Sequence, residues 1–328
     1  MIKELAKKML RKFGVEVIAA PKPEVTAASE SVETGWDDLV AKLAKDPLNA
    51  NLHLQYAIDA SKAGRAYLAY AELKTAKYLG ANQIDTEKLL VTLRQALPDP
   101  ISMNHNQYFR FISLSSEILS RAGKTDFSLL DVGGSDGRLA AFVPDAPYCL
   151  VEPTLNGISG TDLPFPDRSF DYVVACHVLE HIALSERRLF LDQMLAKARR
   201  GVILLNPFYI DGTHIDERLR LFIEITGAQW AKEHLDCTLP RIEDVRSYAN
   251  DRGLQICVKP NGTLTTTMAF VFIDYFAAKA ECYEDWKKVN TFFNERYTSI
   301  LDSPQYPNSY LVYLGWPESV NNVAAQGT

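Results

Sequence analysis

Disulfide and zinc frameworks are both missing from this chain. Its five cysteines, Cys149, Cys176, Cys237, Cys257 and Cys282, stand far apart with no CxxC pair. That pattern gives no metal-ligand spacing and fits a reducing compartment. Long apolar runs are lacking too: the longest, 268–278, is too short to cross a bilayer and contains Asp274. The basic N-terminus has no continuous apolar core, so no secretory leader is expected. Nor is there an excess of positive charge. The formal net charge is −6, whereas a nucleic-acid partner usually needs a basic face. These absences leave a cytoplasmic protein without bound metal or nucleic acid as the expectation. Apolar residues make up 47% of the 328 positions and charged residues 23%, enough for a sizeable core and for two domains, or one with an appendage.

The chain opens with MIKELAKKMLRKFG, where Ile2, Leu5, Met9, Leu10 and Phe13 recur at helical spacing among lysines and an arginine. A basic amphipathic helix over 1–14 can lie on an anionic membrane at its inner face, or pack its stripe on protein. Residues 20–34 are rich in Pro, Ala, Ser and Glu without periodicity and read as a linker, so 1–35 forms one unit. From Trp36 the pattern is helical up to LPDP, whose two prolines end it. Within 36–100, Pro47, Ala57, Gly64, Ala69, Leu73 and Ala76 fall where a tetratricopeptide repeat places its proline and its small and apolar residues. The segment resembles about one and a half such repeats. Two readings stay open, a surface for a protein partner and a helical hairpin docked on a larger domain.

Beyond residue 101, a helix (NQYFRFISLSSEILSR) precedes short apolar runs that alternate with helical stretches: FSLLDV, YCLVE, FDYVVA, GVILLN, LQICVK and SYLVYLGW. Such alternation indicates βαβ units and a mostly parallel sheet, with ligands at the carboxyl ends of the strands. The first of these ends is Asp131-Val132-Gly133-Gly134-Ser135-Asp136-Gly137. A glycine turn brings backbone N–H groups up to a ligand, or simply packs strand against helix. The second strand ends in Glu152, about twenty residues further on, where a carboxylate accepts from ribose hydroxyls and repels a 2′-phosphate.

The segment GTDLPFPDRSFDYVVACHVLEHI, 160–182, is more specific. With the glycine turn and Glu152, it resembles the class I S-adenosylmethionine-dependent methyltransferases, in particular the subgroup with LPFPDxSFD and LEH signatures. The resemblance spans roughly 102–206, with a looser match at the final strand. It implies a Rossmann-like, doubly wound α/β sheet of seven strands, the last antiparallel, preceded here by the all-α region, with S-adenosylmethionine as cofactor. Asp131 with the backbone of Gly133, Gly134 and Gly137 would hold the methionine portion, and Glu152 the ribose. Asp162 and the Leu163 N–H would border the adenine, with Cys176 and His177 beside the sulfonium. Two departures stand out. Ser135 replaces a glycine and narrows the room beside the cofactor, and 153–161 is too short for the usual helix and full third strand. The acids agree with the implied ligand, because a sulfonium and an ammonium favour nearby carboxylates.

A hydroxyl acceptor gains from a general base within hydrogen-bond reach. The insertion 207–240 follows the GVILLN strand and is expected to cover the site; it carries Asp211, His214, Trp230, Glu233 and His234. Candidate bases are His177, His214 and His234, each with a purely structural alternative, while His181 is read as fixing a helix start. Aromatics beside histidine and aspartate suit a sugar pocket. A looser likeness to methyltransferases of polysaccharide assembly rests on the basic N-terminal helix, the central core and the Trp-x-x-Glu-His segment. The expectation is therefore O-methylation of a saccharide or lipid-linked saccharide, within a methyltransferase domain over 101–328. The alternatives are another small-molecule acceptor, such as a quinone or isoprenoid-derived metabolite, and a non-catalytic scaffold.

Overall fold

The computed structural model describes residues 38–211, 215–296 and 306–317. The basic segment 1–14, the linker and His214 lie outside these residues. A helix over 38–45 leads into α1 (Ala50–Lys62), α2 (Ala66–Tyr78), α3 (Gln83–Ala96) and α4 (His105–Ala122). Asn49 caps α1 by accepting from the N–H groups of Asn51 and Leu52, and Asn104 caps α4 by accepting from that of Gln107.

The sheet begins after α4. Its strands are β1 (Leu129–Val132), β2 (Tyr148–Val151), β3 (Phe170–Cys176), β4 (Ala198–Asn206), β5 (Gln255–Asn261) and β6 (Ser309–Gly315), in the order β2-β1-β3-β4-β6-β5. The first four are parallel, and β6 runs antiparallel to both β4 and β5. Every residue of β1 and β2 is buried, as expected for parallel strands covered on both faces.

The described residues form six strands rather than the seven expected. Between β2 and Asp162 the chain makes one short helix, α5 (Pro153–Asn156), and no strand, so β2 becomes the edge. That edge is covered by side chains. Leu150 donates its N–H to Thr75 Oγ1 of α2 at 2.9 Å, and Asn156 Nδ2 donates to the Leu150 carbonyl at 2.9 Å. Backbone groups that a third strand would satisfy are thus satisfied by α2 and α5.

Helices lie on both faces. Phe190 and Met194 of α6 (Arg187–Lys197), with Val245 and Tyr248 of α9 (Ile242–Asp251), pack on Val132, Val173 and Leu204. On the other face Tyr56, Leu68, Ala71, Leu114 and Ile118 pack on Leu129, Tyr148, Leu150 and Leu205. The helical region therefore shares one core with the sheet. It is a hairpin docked against β2.

A third group caps the strand ends: α7 (Ile215–Thr226), α8 (Gln229–Asp236) and α10 (Leu264–Ala280). Leu219, Phe222 and Ala231 meet Met268, Val271, Phe272 and Tyr275 there. The final helix, α11 (Tyr283–Arg296), is stapled to the start of α4: Asn290 Oδ1 accepts from the His105 N–H at 2.5 Å, and Asn294 Oδ1 lies 2.8 Å from His105 Nδ1. The apolar run 268–278 is thus part of a cap helix that supplements the 207–240 insertion.

Candidate active site

The turn after β1 sits between that strand and α2. Gly137 has φ +74°, and a Cβ there would come within 2.2 Å of the Ala71 Cβ, so only glycine admits the close approach of α2. A Cβ on Gly134 would lie 2.4 Å from Asp131 Oδ2. Ser135, where the resemblance expects glycine, adopts φ 51° and is exposed. Its N–H donates to Glu152 Oε2 at 3.1 Å, and Glu152 Oε1 accepts from the Thr154 N–H and hydroxyl at 3.2 and 2.9 Å. The serine thus fixes the acid through its backbone.

Asp131 is buried, and its Oδ2 accepts from the Tyr148 hydroxyl at 2.6 Å. Oδ1 makes no hydrogen bond. Burial, aided by the charge of Glu152, lifts this carboxyl to about 7 despite the tyrosine. A cationic ligand at Oδ1 would restore its charge.

At the end of β3, burial pushes the Cys176 thiol up to about 12, which makes it a poor nucleophile at neutral pH. His177 follows with φ 56°, its N–H held by the Leu205 carbonyl at 2.7 Å. Its Nδ1 lies 3.4 Å from Glu180 Oε1, while Nε2 is buried without a hydrogen-bond partner. Burial and then the charge of Arg110 press this imidazole down to about 4, so it is neutral at pH 7. Burial opposes the charge of Glu180, but its contact with the His177 ring outweighs that and holds its pKa below the usual carboxylate range. Asn206 Nδ2 also donates to Glu180 Oε2.

These groups line a cavity of about 450 Å³, bounded by α4, the glycine turn, the β3 end, α7, α8 and α10. It brings together Asp131, Gly133, Gly134, Ser135, Cys176, His177 and His234 from the sequence expectations. Glu152 adjoins it through the Ser135 N–H. The Leu163 N–H, expected at adenine, donates instead to Gln193 Oε1 at 3.2 Å, and Asp162 is exposed; neither lines the cavity. The short segment before them forms no third strand to carry them to the site.

His181 follows the expected backbone pattern, its N–H bonded to the Val178 carbonyl at 2.8 Å, yet its ring also lines the cavity, 6.2 Å from that of His234. Trp230 is half-exposed at the rim and leans on Phe222, with ring centroids 5.5 Å apart. Sequence reasoning missed Gln107 and Arg110 of α4 and Thr267, Met268 and Val271 of α10. Their only signals were positional: a helix just before β1 and an apolar run between β5 and β6. Among the described residues, no group of three or more His, Cys, Asp or Glu side chains is arranged to hold a metal ion. No helix there is long and apolar enough to cross a membrane.

The donor set fits a phosphate-free cationic cofactor: an unpartnered buried carboxylate at Asp131, a second acid at Glu152 and a glycine cradle that a Cβ would fill. Residues 130–205 match the family described as Methyltransferase domain. No curated protein sequence matches the chain. Among solved structures, a protein of Anabaena variabilis described as a methyltransferase from an antibiotic biosynthesis pathway is 12% identical, with a TM-score of 0.43 over 64% of this chain and 99% of that one. A Haemonchus contortus phosphoethanolamine N-methyltransferase, bound to S-adenosyl-L-methionine, is 15% identical with a TM-score of 0.37, covering 63% and 53%. A methyltransferase of Thermotoga maritima is 12% identical with a TM-score of 0.38, covering 65% and 94%. At such values these are distant likenesses only. Residues 130–205 thus match a methyltransferase domain, and the donor set around the glycine turn is one that S-adenosylmethionine would fit.

Proposed function

We propose that the chain methylates a hydroxyl of a saccharide or lipid-linked saccharide, with His177 taking the hydroxyl proton. One observation carries this reading: His177 Nε2 is buried and unpartnered at the cavity wall, while Glu180 stands 3.4 Å behind Nδ1. With Nδ1–H turned to that carboxylate, Nε2 is left as an acceptor. Glu180 then steadies the imidazolium that forms. The bound cofactor supplies an activated methyl group for in-line displacement. The chain contributes orientation: Asp131 and the turn at Gly133, Gly134 and Gly137 for the methionine end, and Glu152 for the ribose.

The saccharide reading is supported by convergent polar groups beside an aromatic edge. His181, His234 and Trp230 line the same cavity as His177, where an apolar metabolite would need few such groups. Calorimetry with S-adenosylmethionine should give saturable binding, weakened roughly tenfold by Glu152→Ala through loss of charge-assisted hydrogen bonds. A well-folded sample that binds no cofactor would overturn the enzyme reading. Labelled methyl transfer should then enter saccharide or lipid-linked saccharide fractions of a cell extract; labelling confined to quinone lipids would overturn the acceptor assignment.

A further inference from the structure

Arg110 projects from α4 into the cavity wall. Its Nε is buried without a hydrogen bond, and the guanidinium forms no ion pair with any described residue. The other arginine of the cavity is engaged, since Arg138 Nε lies 2.9 Å from both oxygens of Asp136 and its Nη1 donates to Gln107. A guanidinium whose Nε is buried without a hydrogen bond carries a desolvation cost, and its planar fork suits two oxygens of one anion.

The wall is electrostatically divided. Asp131 and Asp136 stand at the glycine turn, where a cationic cofactor is favourable. Arg110 stands with His177, His181 and His234 toward the cap, and Glu180 is the acid among them, already bonded to Asn206 and facing His177. Arg110 also borders two lesser recesses that contain no glycine-turn residue. One is lined by Asn106, Thr266, Thr267 and Asn308, the other by Trp230, Tyr275 and Asp274, a carboxylate whose oxygens already accept from Asn104 and Trp286. Hydroxyls and amides around a free guanidinium are what carboxylate, phosphate or sulfate oxygens require.

We infer that the methyl acceptor is an anion, and that Arg110 docks its carboxylate, phosphate or sulfate group on the cap side of the cavity. This deepens the methyltransferase reading and rests on it: the acceptor is an acidic saccharide, held by its charge while the hydroxyl to be methylated faces His177. The rival source of the same chemistry is the carboxylate of the cofactor itself.

The test uses the full chain saturated with S-adenosylhomocysteine, titrated with inorganic phosphate, sulfate and glucuronate at ionic strength held constant with chloride. Thermal midpoints report binding. At least one probe should raise the midpoint of the wild type saturably, and Arg110→Gln should weaken that binding at least tenfold. Arg110→Lys, which keeps charge but loses the fork, should fall between. No saturable response in the wild type overturns the proposal, and so does an equal response in Arg110→Gln. The second arm compares S-adenosylmethionine with its decarboxylated analogue by calorimetry. Affinities within threefold for the wild type support the acceptor assignment, as does a preference that survives in Arg110→Gln. A tenfold preference for the carboxylate form that disappears in Arg110→Gln assigns the arginine to the cofactor and overturns the proposal. The wild-type comparisons need no variant to fold. Cofactor binding with no anion response would sink this inference while leaving the methyltransferase reading intact.

Discussion

His177 combines three unusual properties at one residue: a left-handed backbone, a buried unpartnered Nε2 and a pKa pressed down to about 4 by burial and Arg110. Only the neutral imidazole can accept a proton. Its depressed value keeps that form dominant throughout the range above about 5, so the rate should be level from about pH 6 to 8. A limb centred near the ordinary histidine value of about 6.5 would move the base to another group. The substitution that isolates this role is His177→Asn, because asparagine tolerates positive φ better than alanine. It should lower kcat by roughly a hundredfold or more while leaving cofactor affinity within a few-fold. Comparable losses in both would make the residue a packing element. His177 and Asp131 were legible in the sequence because each ends an apolar run. Arg110 was not: nothing in the periodicity of NQYFRFISLSSEIL marks which polar side chain meets the cavity. Ser135 was legible as a departure from glycine, but sequence does not show that the serine takes up a positive φ.

At the scale of elements, α2 does the work of a missing strand. Glu72 is buried in it, with Oε2 2.5 Å from His53 Nδ1 of α1 and Oε1 accepting from Asn156 Nδ2 at 3.0 Å. Asn156 Oδ1 in turn accepts from the Glu152 N–H at 2.9 Å. A continuous set of hydrogen bonds thus runs from the helical hairpin to the acid assigned to ribose. Glu72→Ala strands a buried histidine and a buried amide, and should cost roughly 3–5 kcal/mol in urea unfolding along with a several-fold loss of cofactor affinity. The pair also sets a pH slope. Burial pushes His53 down, but the charge and hydrogen bond of Glu72 outweigh it, so the folded value lies above the ordinary one. Stability from this pair is therefore full below about pH 6.5 and is lost as pH rises through the raised value. The urea midpoint should fall as pH rises above about 6.5 in the wild type, and Glu72→Gln should flatten that dependence. Equal slopes in both proteins would remove the pair from the account. The six strands were readable as apolar runs. The short segment after Glu152 forecast the loss of the third strand, but not what covers the edge, since Thr75 and Glu72 look like ordinary polar positions of a helix.

Across the whole molecule, the division at residue 100 suggested by LPDP marks a change of element, not of core. Tyr56, Leu68 and Ala71 share one apolar cluster with Tyr148, Leu150 and Leu205, and the Ala71 methyl occupies the space beside Gly137. Lys74 Nζ, in the same helix, donates to the carbonyls of Val143 and Pro144 at 2.9 and 2.8 Å. Removing residues 1–100 would uncover Tyr148 and Leu150, leave the Leu150 N–H on an open edge and unseat the glycine turn. The sheet and cap alone should therefore be aggregation-prone and unable to bind S-adenosylmethionine, whereas removal of residues 1–35 should leave both folding and binding near wild type. Parallel expression of 36–328 and 101–328, followed by size-exclusion chromatography and calorimetry, separates the cases. A monomeric 101–328 with wild-type cofactor affinity would show that the hairpin is an accessory module after all. Loss of both properties on crossing from residue 36 to residue 101 would make the hairpin the missing wall of the cofactor site, supplied from the N-terminal side of the chain.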